Sequence, residues 1–266
     1  MYHETKEYAL ITGASSGIGL EMANICAENK INLLLTARNE SALGTLSKEL
    51  SEKFGISVLT LVDDLSDPHE VDNIFEFSKL QGIYIKYLIN NAGFGDFAFF
   101  PNADWKKTSE MINLNITSLT RLCHLYIPEM MNKRNGKILN VSSLAGFQPG
   151  PYMSVYYATK AYVLLFSEAL RRELKGTGVS VTCLCPGPTN SLFWKRAGVE
   201  SSRLIQMFHI PSSKQVAIYG YKSLMKNKSV AIYGSINKLT VFLERFIPRR
   251  IVTELSFFLN NSKIKN

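Results

Sequence analysis

The chain has 266 residues, of which 46% are apolar and 20% charged, enough to build a sizeable core; an extended disordered polymer is excluded. Four cysteines in that length also exclude a disulfide scaffold. The formal net charge of +8 is lopsided, because residues 1–202 carry 19 Lys and Arg against 20 Asp and Glu, whereas residues 203–266 carry 11 against 2. No arginine-rich run or zinc-finger spacing accompanies the basic quarter, so no nucleic-acid partner is expected. No apolar run reaches the ~18–20 residues of a bilayer span, and Met1–Tyr8 is polar where a secretory signal would be apolar. The expected compartment is the reducing cytoplasm.

Short β-rich runs recur along the chain at Tyr8–Thr12, Ile31–Ala37, Ile56–Val62, Tyr87–Asn90, Lys137–Val141 and Val179–Cys185. Between them lie stretches of helical periodicity, Gly19–Asn29, Glu40–Phe54, Glu70–Leu80 and Trp105–Met131. Strands separated by helix-length crossovers require a parallel sheet with helices on both faces. The expected fold is therefore α/β, a doubly wound parallel sheet in a three-layer sandwich. One domain over residues 1–266 is expected, with approximately 190–266 as its substrate-cleft and basic helical extension. Cys183 and Cys185 are read as buried residues on opposite sheet faces. The pentapeptide Val-Ala-Ile-Tyr-Gly occurs at 216–220 and again at 230–234. The first copy reads as helix behind Ser212 or Ser213, the second as a short strand ended by Gly234.

Gly13-Ala14-Ser15-Ser16-Gly17-Ile18-Gly19 joins the first strand to the first helix. Glycines there allow a sharp turn and close backbone approach to a pyrophosphate, and the helix offers unpaired N–H groups to the anion. After the second strand, an NAD site would want a carboxylate for the adenosine ribose, but this chain has Arg38. A guanidinium binds a 2′-phosphate that a carboxylate would repel, so the expected cofactor is NADP(H), with Ser15 as a second phosphate ligand.

Tyr156 and Lys160 are four residues apart and share a helix face, whereas Tyr157 is rotated away. Ser143 lies thirteen residues before Tyr156, just after a strand, and Asn90-Asn91-Ala92-Gly93 follows an earlier one. With the glycine loop, these motifs resemble the short-chain dehydrogenase/reductase family, in its short-subunit branch, over approximately residues 6–195. The resemblance implies a Rossmann-type sheet of about seven strands. It implies further that Asn115, Ser143, Tyr156 and Lys160 are catalytic. Gly13, Ser15, Ser16, Gly17, Ile18, Gly19, Arg38, Asp64, Asn90, Ala92, Gly93, Pro186, Gly187 and Thr189 would join Tyr156 and Lys160 in binding the cofactor. Asp64 would meet adenine, and either Thr189 or Ser191 the nicotinamide amide. The implied reaction is hydride transfer between NADP(H) and a carbonyl or secondary alcohol. Tyr156 would be the acid, Ser143 would bond the reacting oxygen, and Lys160 would hold the ribose hydroxyls and lower the phenol's pKa by its charge. Asn115 would anchor a water leading to Lys160. A homodimer or homotetramer is implied as well.

The histidines are dispersed and the cysteines lack ligand spacing, so no metal is expected. Phe94, Phe97, Phe147, Tyr152, Met153, Phe193 and Trp194 are candidate apolar walls, which suits a hydrophobic substrate. A 3-oxoacyl-thioester reductase is the alternative within enzymes. A nucleotide-sensing or membrane-associated binding protein is the alternative outside them. The segment Leu239–Leu259, divided by Pro248, reads as a helical flap over the cleft; weak peripheral contact with anionic lipid is the other reading.

Overall fold

The computed structural model describes residues 6–190, 193 and 210–260. Seven strands form one sheet: β1 (Glu7–Thr12), β2 (Asn32–Ala37), β3 (Val58–Val62), β4 (Tyr84–Asn90), β5 (Gly136–Val141), β6 (Val179–Cys185) and β7 (Val230–Ile232). Their order is β3-β2-β1-β4-β5-β6-β7, and every pairing is parallel. The chain leaves β1 toward β2 and β3, then returns to lay β4 on the other side. The crevice at this reversal, beyond the strands' carboxyl ends, is where open α/β sheets bind ligands.

Alternate residues of β1 serve opposite layers because side chains switch face at each step. Ala9 and Ile11 pack beneath α1 (Gly17–Glu28) with Met22, Ala23 and Cys26, while α7 (Ser213–Met225) adds Val216, Ala217 and Leu224 to the same layer. Tyr8 and Leu10 face the other layer. There Val71 and Ile74 come from α3 (Glu70–Leu80), and Leu122, Tyr126 and Met130 from α5 (Leu119–Asn132). The 20-residue α6 (Ser154–Glu173) adds Val163. Burial on both faces explains why the inner strands read as unbroken apolar runs. The remaining crossover helix, α2 (Glu40–Phe54), is capped by Asn39, whose Oδ1 accepts from Ala42 N at 3.0 Å, and stops at left-handed Gly55.

Two local readings need correction. The stretch Trp105–Met131 is not one regular helix: α4 (Trp105–Ile112) runs into a π-helical turn at Asn113–Ser118 before α5 begins. The wider turn rotates Asn115 inward, a displacement that a 3.6-residue periodicity cannot announce. Cys183 and Cys185 share one sheet face, as residues two apart on a strand must, with sulfurs 3.7 Å apart. The two pentapeptides do differ as expected: the first lies in α7, behind a Ser212–Gln215 capping box, and the second supplies β7. Beyond β7 come α8 (Ser235–Glu244) and α9 (Arg249–Asn260), separated at Pro248. Among the described residues, no helix is long and apolar enough to cross a membrane.

One polar cluster crosses the core between β4, β5, α5 and α6. Asn90 Nδ2 donates to Asn140 Oδ1 at 2.9 Å and to Cys123 Sγ at 3.4 Å, and Asn140 Nδ2 donates to Ser167 Oγ at 3.0 Å. Asn140 is fully buried, so its removal strands its partners away from water. Asn140→Ala should lower unfolding free energy by about 2–4 kcal/mol in urea melts, reflecting orphaned polar groups plus a small cavity.

Candidate active site

The glycine loop caps the carboxyl end of β1. Gly13 and Gly17 both hold left-handed φ values, +66° and +59°, which side-chain-bearing residues rarely adopt. Gly19 has no spare room: a Cβ would sit 2.4 Å from Gly13 O and 2.5 Å from Asn91 Nδ2. The loop is fastened to the β4 exit. Thr12 Oγ1 accepts from the N–H groups of Asn91 and Ala92, and Asn91 Nδ2 donates to the carbonyls of Thr12 and Gly13. At the start of α1, Ser16 makes no side-chain cap and the first turn contains no acid. That terminus therefore keeps its positive end for an anion.

The cavity above these loops measures about 730 Å³. Gly13, Ser15, Ser16, Gly17, Ile18, Arg38, Asp64, Ala92, Gly93, Pro186, Gly187 and Thr189 line it, as do Ser143, Tyr156 and Lys160. Gly19 sits behind the loop as its packing contact. Asn90 is a correction, since it lies in the buried Asn140 cluster; its neighbour Asn91 is the residue of that motif at the cavity. The side chain after an inward-facing strand residue points the other way, which moves the site by one position. Ser191 lies outside the described residues, while Thr189 Oγ1 donates to Gly187 O at 2.9 Å.

Beyond the ends of β2 and β3, Arg38 Nη1 meets Asp64 Oδ2 at 3.3 Å, with both side chains about half exposed. Asp64 accepts two further bonds, from the Ser66 N–H and hydroxyl. Burial raises its pKa, but those bonds and the guanidinium outweigh burial and leave the carboxyl below its ordinary value. Neighbouring Asp63 behaves oppositely: burial, then Glu70, lift it to about 7.

At the other end, Ser143 follows β5, and its Oγ accepts from Ala145 N at 3.1 Å. Its hydroxyl also reaches the Tyr156 phenol. Lys160 is only 5% exposed; its Nζ donates to Val141 O at 2.9 Å and stands 5.9 Å from the Tyr156 ring centre. Burial lowers Lys160 to about 8. Burial also pushes Tyr156 above the ordinary phenol value, opposed by the Ser143 bond. The expected depression by Lys160 does not enter this balance: desolvation dominates, and the ammonium is turned to the Val141 carbonyl. Asn115 stands behind this group. Its Oδ1 accepts from Phe94 N at 3.2 Å, and its Nδ2 donates to Phe94 O and Thr159 Oγ1, both at 3.0 Å.

Phe94, Phe97, Met153 and Phe193 line the remaining cavity, and Phe193 meets the Tyr156 ring at 5.3 Å between centres. Two expected walls are elsewhere. Phe147 packs with Leu164, Cys183 and Cys185 at the β6–β7 border of the sheet, because the turn Leu144–Gly146 carries it past the cleft. Tyr152 lies behind Phe97, stacked on it at 5.5 Å, with a left-handed φ of +66°. Trp194 lies outside the described residues. Sequence reasoning missed Leu114, Gln148 and Asn260, all of which line the cavity. Asn260 comes from the end of α9 and donates to Pro151 O at 3.0 Å, so the basic extension reaches the cleft as a flap would. No motif marks it; only the fold brings it there.

The residues present fit a dinucleotide: left-handed Gly13 and Gly17 and side-chain-free Gly93 line the cavity beside the uncapped, acid-free start of α1. At Gly93 a Cβ would lie 2.9 Å from Asn115 Oδ1. Comparison with known proteins agrees with that geometry. The sequence profile of the short chain dehydrogenases matches residues 7–200. The very-long-chain 3-oxoacyl-CoA reductase of Rattus norvegicus is 34% identical over 187 residues, 68% of this chain but only 58% of that protein. A short-chain dehydrogenase from Sphingobium yanoikuyae, solved in complex with NADPH, superposes with TM-score 0.80 at 30% identity, covering 91% of this chain and 94% of that one. The bulky-bulky ketone specific alcohol dehydrogenase of Comamonas testosteroni gives 0.76 at 27%, covering 90% and 92%.

Gly19→Ala should push the glycine loop away from Asn91 and weaken nucleotide binding by roughly tenfold or more, with a lower Tm. Fluorescence titration beside a thermal melt checks both effects.

Proposed function

The chain belongs to the short-chain dehydrogenase/reductase family of oxidoreductases, and on that premise we propose that it transfers a hydride between NADP(H) and the carbonyl or secondary alcohol of a hydrophobic substrate. The observation that carries this reading is the meeting of Ser143, Tyr156, Lys160 and the glycine loop in one cavity whose remaining walls include Phe94, Phe97, Met153 and Phe193. When bound, the nicotinamide supplies the hydride in reduction and accepts it in oxidation.

The chain's own residues handle the proton and the developing charge. Burial keeps Tyr156 neutral, which is the form a proton donor to a carbonyl oxygen needs. The Ser143 hydroxyl donates to the same oxygen and stabilises the charge that grows there. Lys160, at about 8, is largely an ammonium at neutral pH; it would hold the ribose hydroxyls of a bound cofactor and return a proton to the phenol. Asn115 acts as a positioning residue, because its amide clamps both polar groups of the Phe94 backbone and ties them to α6 through Thr159.

Arg38 and Ser15 support NADP(H) over NAD(H). Among the described residues, half-exposed Arg38 meets one carboxylate oxygen, of Asp64, leaving N–H groups for a 2′-phosphate. The NADPH complex of the 30% identical Sphingobium protein supports the same choice. A second reading, reduction of a 3-oxoacyl thioester, is favoured by the 34% identity to the rat reductase. Assembly as a homodimer or homotetramer belongs to the proposal by resemblance alone.

A panel of hydrophobic ketones and 3-oxoacyl thioesters, read by NADPH oxidation, should find turnover that Tyr156→Phe lowers roughly 10²–10⁴-fold without loss of NADPH binding. Turnover that survives this substitution overturns the mechanism, and selective reduction of thioesters decides for the second reading. Arg38→Asp should shift the ratio of kcat/KM for NADPH over NADH toward NADH by roughly tenfold or more. An unchanged ratio removes Arg38 from cofactor choice.

A further inference from the structure

The last two helices are amphipathic in the wrong sense for water. Toward the protein α8 turns buried Val241 and the half-buried Asn237 and Glu244, while Leu239, Phe242, Leu243 and Phe246 are exposed. Phe246 is 72% exposed and Leu239 56%. In α9 the buried stripe is Val252, Ser256 and Asn260, whereas Ile251, Leu255 and Phe258 stand outside. A surface helix in water normally buries its large apolar side chains and exposes its polar ones. A contiguous reversal over two helices marks a surface that something covers.

Charge identifies the cover. Arg245, Arg249 and Arg250 stand exposed on and between these helices, while the Lys238 ammonium lies over the Tyr219 ring of α7. Against them are only Glu244, half-buried near Arg249, and Glu254, one turn after Arg250. A two-fold contact between copies sets a surface patch against itself, which would bring the excess cations together. A layer of anionic headgroups neutralises them while the apolar side chains enter the acyl boundary.

We infer that α8 and α9 form an interfacial surface that seats the protein on an anionic phospholipid bilayer. The surface is coupled to the cleft. Phe257 of α9 stacks on Tyr152 at 5.5 Å, Tyr152 stacks on Phe97 at 5.5 Å, and Phe97 lines the cavity. Exposed Phe99 adjoins the same Tyr152 ring. If the substrate is apolar, as the proposed function holds, this aromatic path joins the bilayer surface to the reaction site.

The test is co-sedimentation of the full chain with phosphatidylcholine vesicles, with and without about 30% phosphatidylserine, at low and high salt. Size-exclusion chromatography runs beside it. Binding should require phosphatidylserine, weaken with salt, and fall about tenfold in the Leu239→Ser/Phe242→Ser/Phe246→Ser variant. Arg245→Gln/Arg249→Gln, which leaves the apolar face intact, should abolish the dependence on phosphatidylserine. NADPH titration of both variants, expected to be unchanged, separates lost lipid binding from lost folding. No sedimentation with anionic vesicles at low salt overturns the inference, as does binding indifferent to both variants. A dimer that the serine variant splits, without lipid binding, assigns the face to a second copy instead. A thermal melt of both variants, expected to match the parent, supplies the folding control without cofactor or substrate, so failure of the proposed reaction would leave this result standing.

Discussion

A buried ammonium sets the terms for the cleft. Lys160 is nearly sealed from water, and a charge in that position persists only where acceptors are fixed around it. Val141 O supplies one at the end of β5. The segment that follows β5 is bound back to the same residue, for Ser142 Oγ donates to Lys160 O at 2.6 Å. Gly146 also packs so closely that a Cβ would lie 2.7 Å from that carbonyl. The strand that delivers Ser143 and the helix that delivers Tyr156 are thereby locked at the point where their side chains must cooperate. Desolvation has opposite consequences for the two ionisable groups: it keeps the phenol protonated and brings the amine down to about 8.

The two halves of the cavity are held differently. Its nucleotide side is built from the exits of β1 to β6, cross-braced by Thr12 and Asn91, and rests on strands buried on both faces. Its substrate side takes Phe193 from the segment after β6, and Asn260 from the end of α9. Chemistry and cofactor geometry are thus attached to the sheet, while the shape offered to a substrate depends on later, more peripheral elements. The separation follows from topology, since strand ends can be fixed by ladders and an extension only by packing.

The same separation explains what could be read from the amino acids alone. Strand runs were legible because a parallel sheet demands continuous apolar stretches, and the glycine loop because φ values near +60° select glycine. Tyr156 and Lys160 were legible from helical spacing. Asn115 was marked by resemblance, but the π-helical turn that aims it was invisible, because one extra residue per turn leaves no compositional trace. Phe147 and Tyr152 looked like walls because they lie between Ser143 and Tyr156 in the chain; a 3₁₀ turn and one left-handed residue send both elsewhere. The reach of Asn260 to Pro151, 109 positions away, depends on packing that no local pattern encodes.

The repeated pentapeptide bears on how the periphery is held. The same five letters are helical in α7 and extended in β7, so their own preference decides nothing; a capping box specifies one and three rungs to Cys183, Leu184 and Cys185 the other. The border strand is borrowed order, lent by β6. Gly234, at φ +89°, turns the chain from that border into α8, where Asn237 crowds Gly187 so closely that a Cβ there would lie 2.8 Å from its Nδ2. Prying the outermost rung loose would therefore loosen the floor beneath Pro186 and Gly187, making the rim of the sheet a mechanical lever on that wall of the cavity.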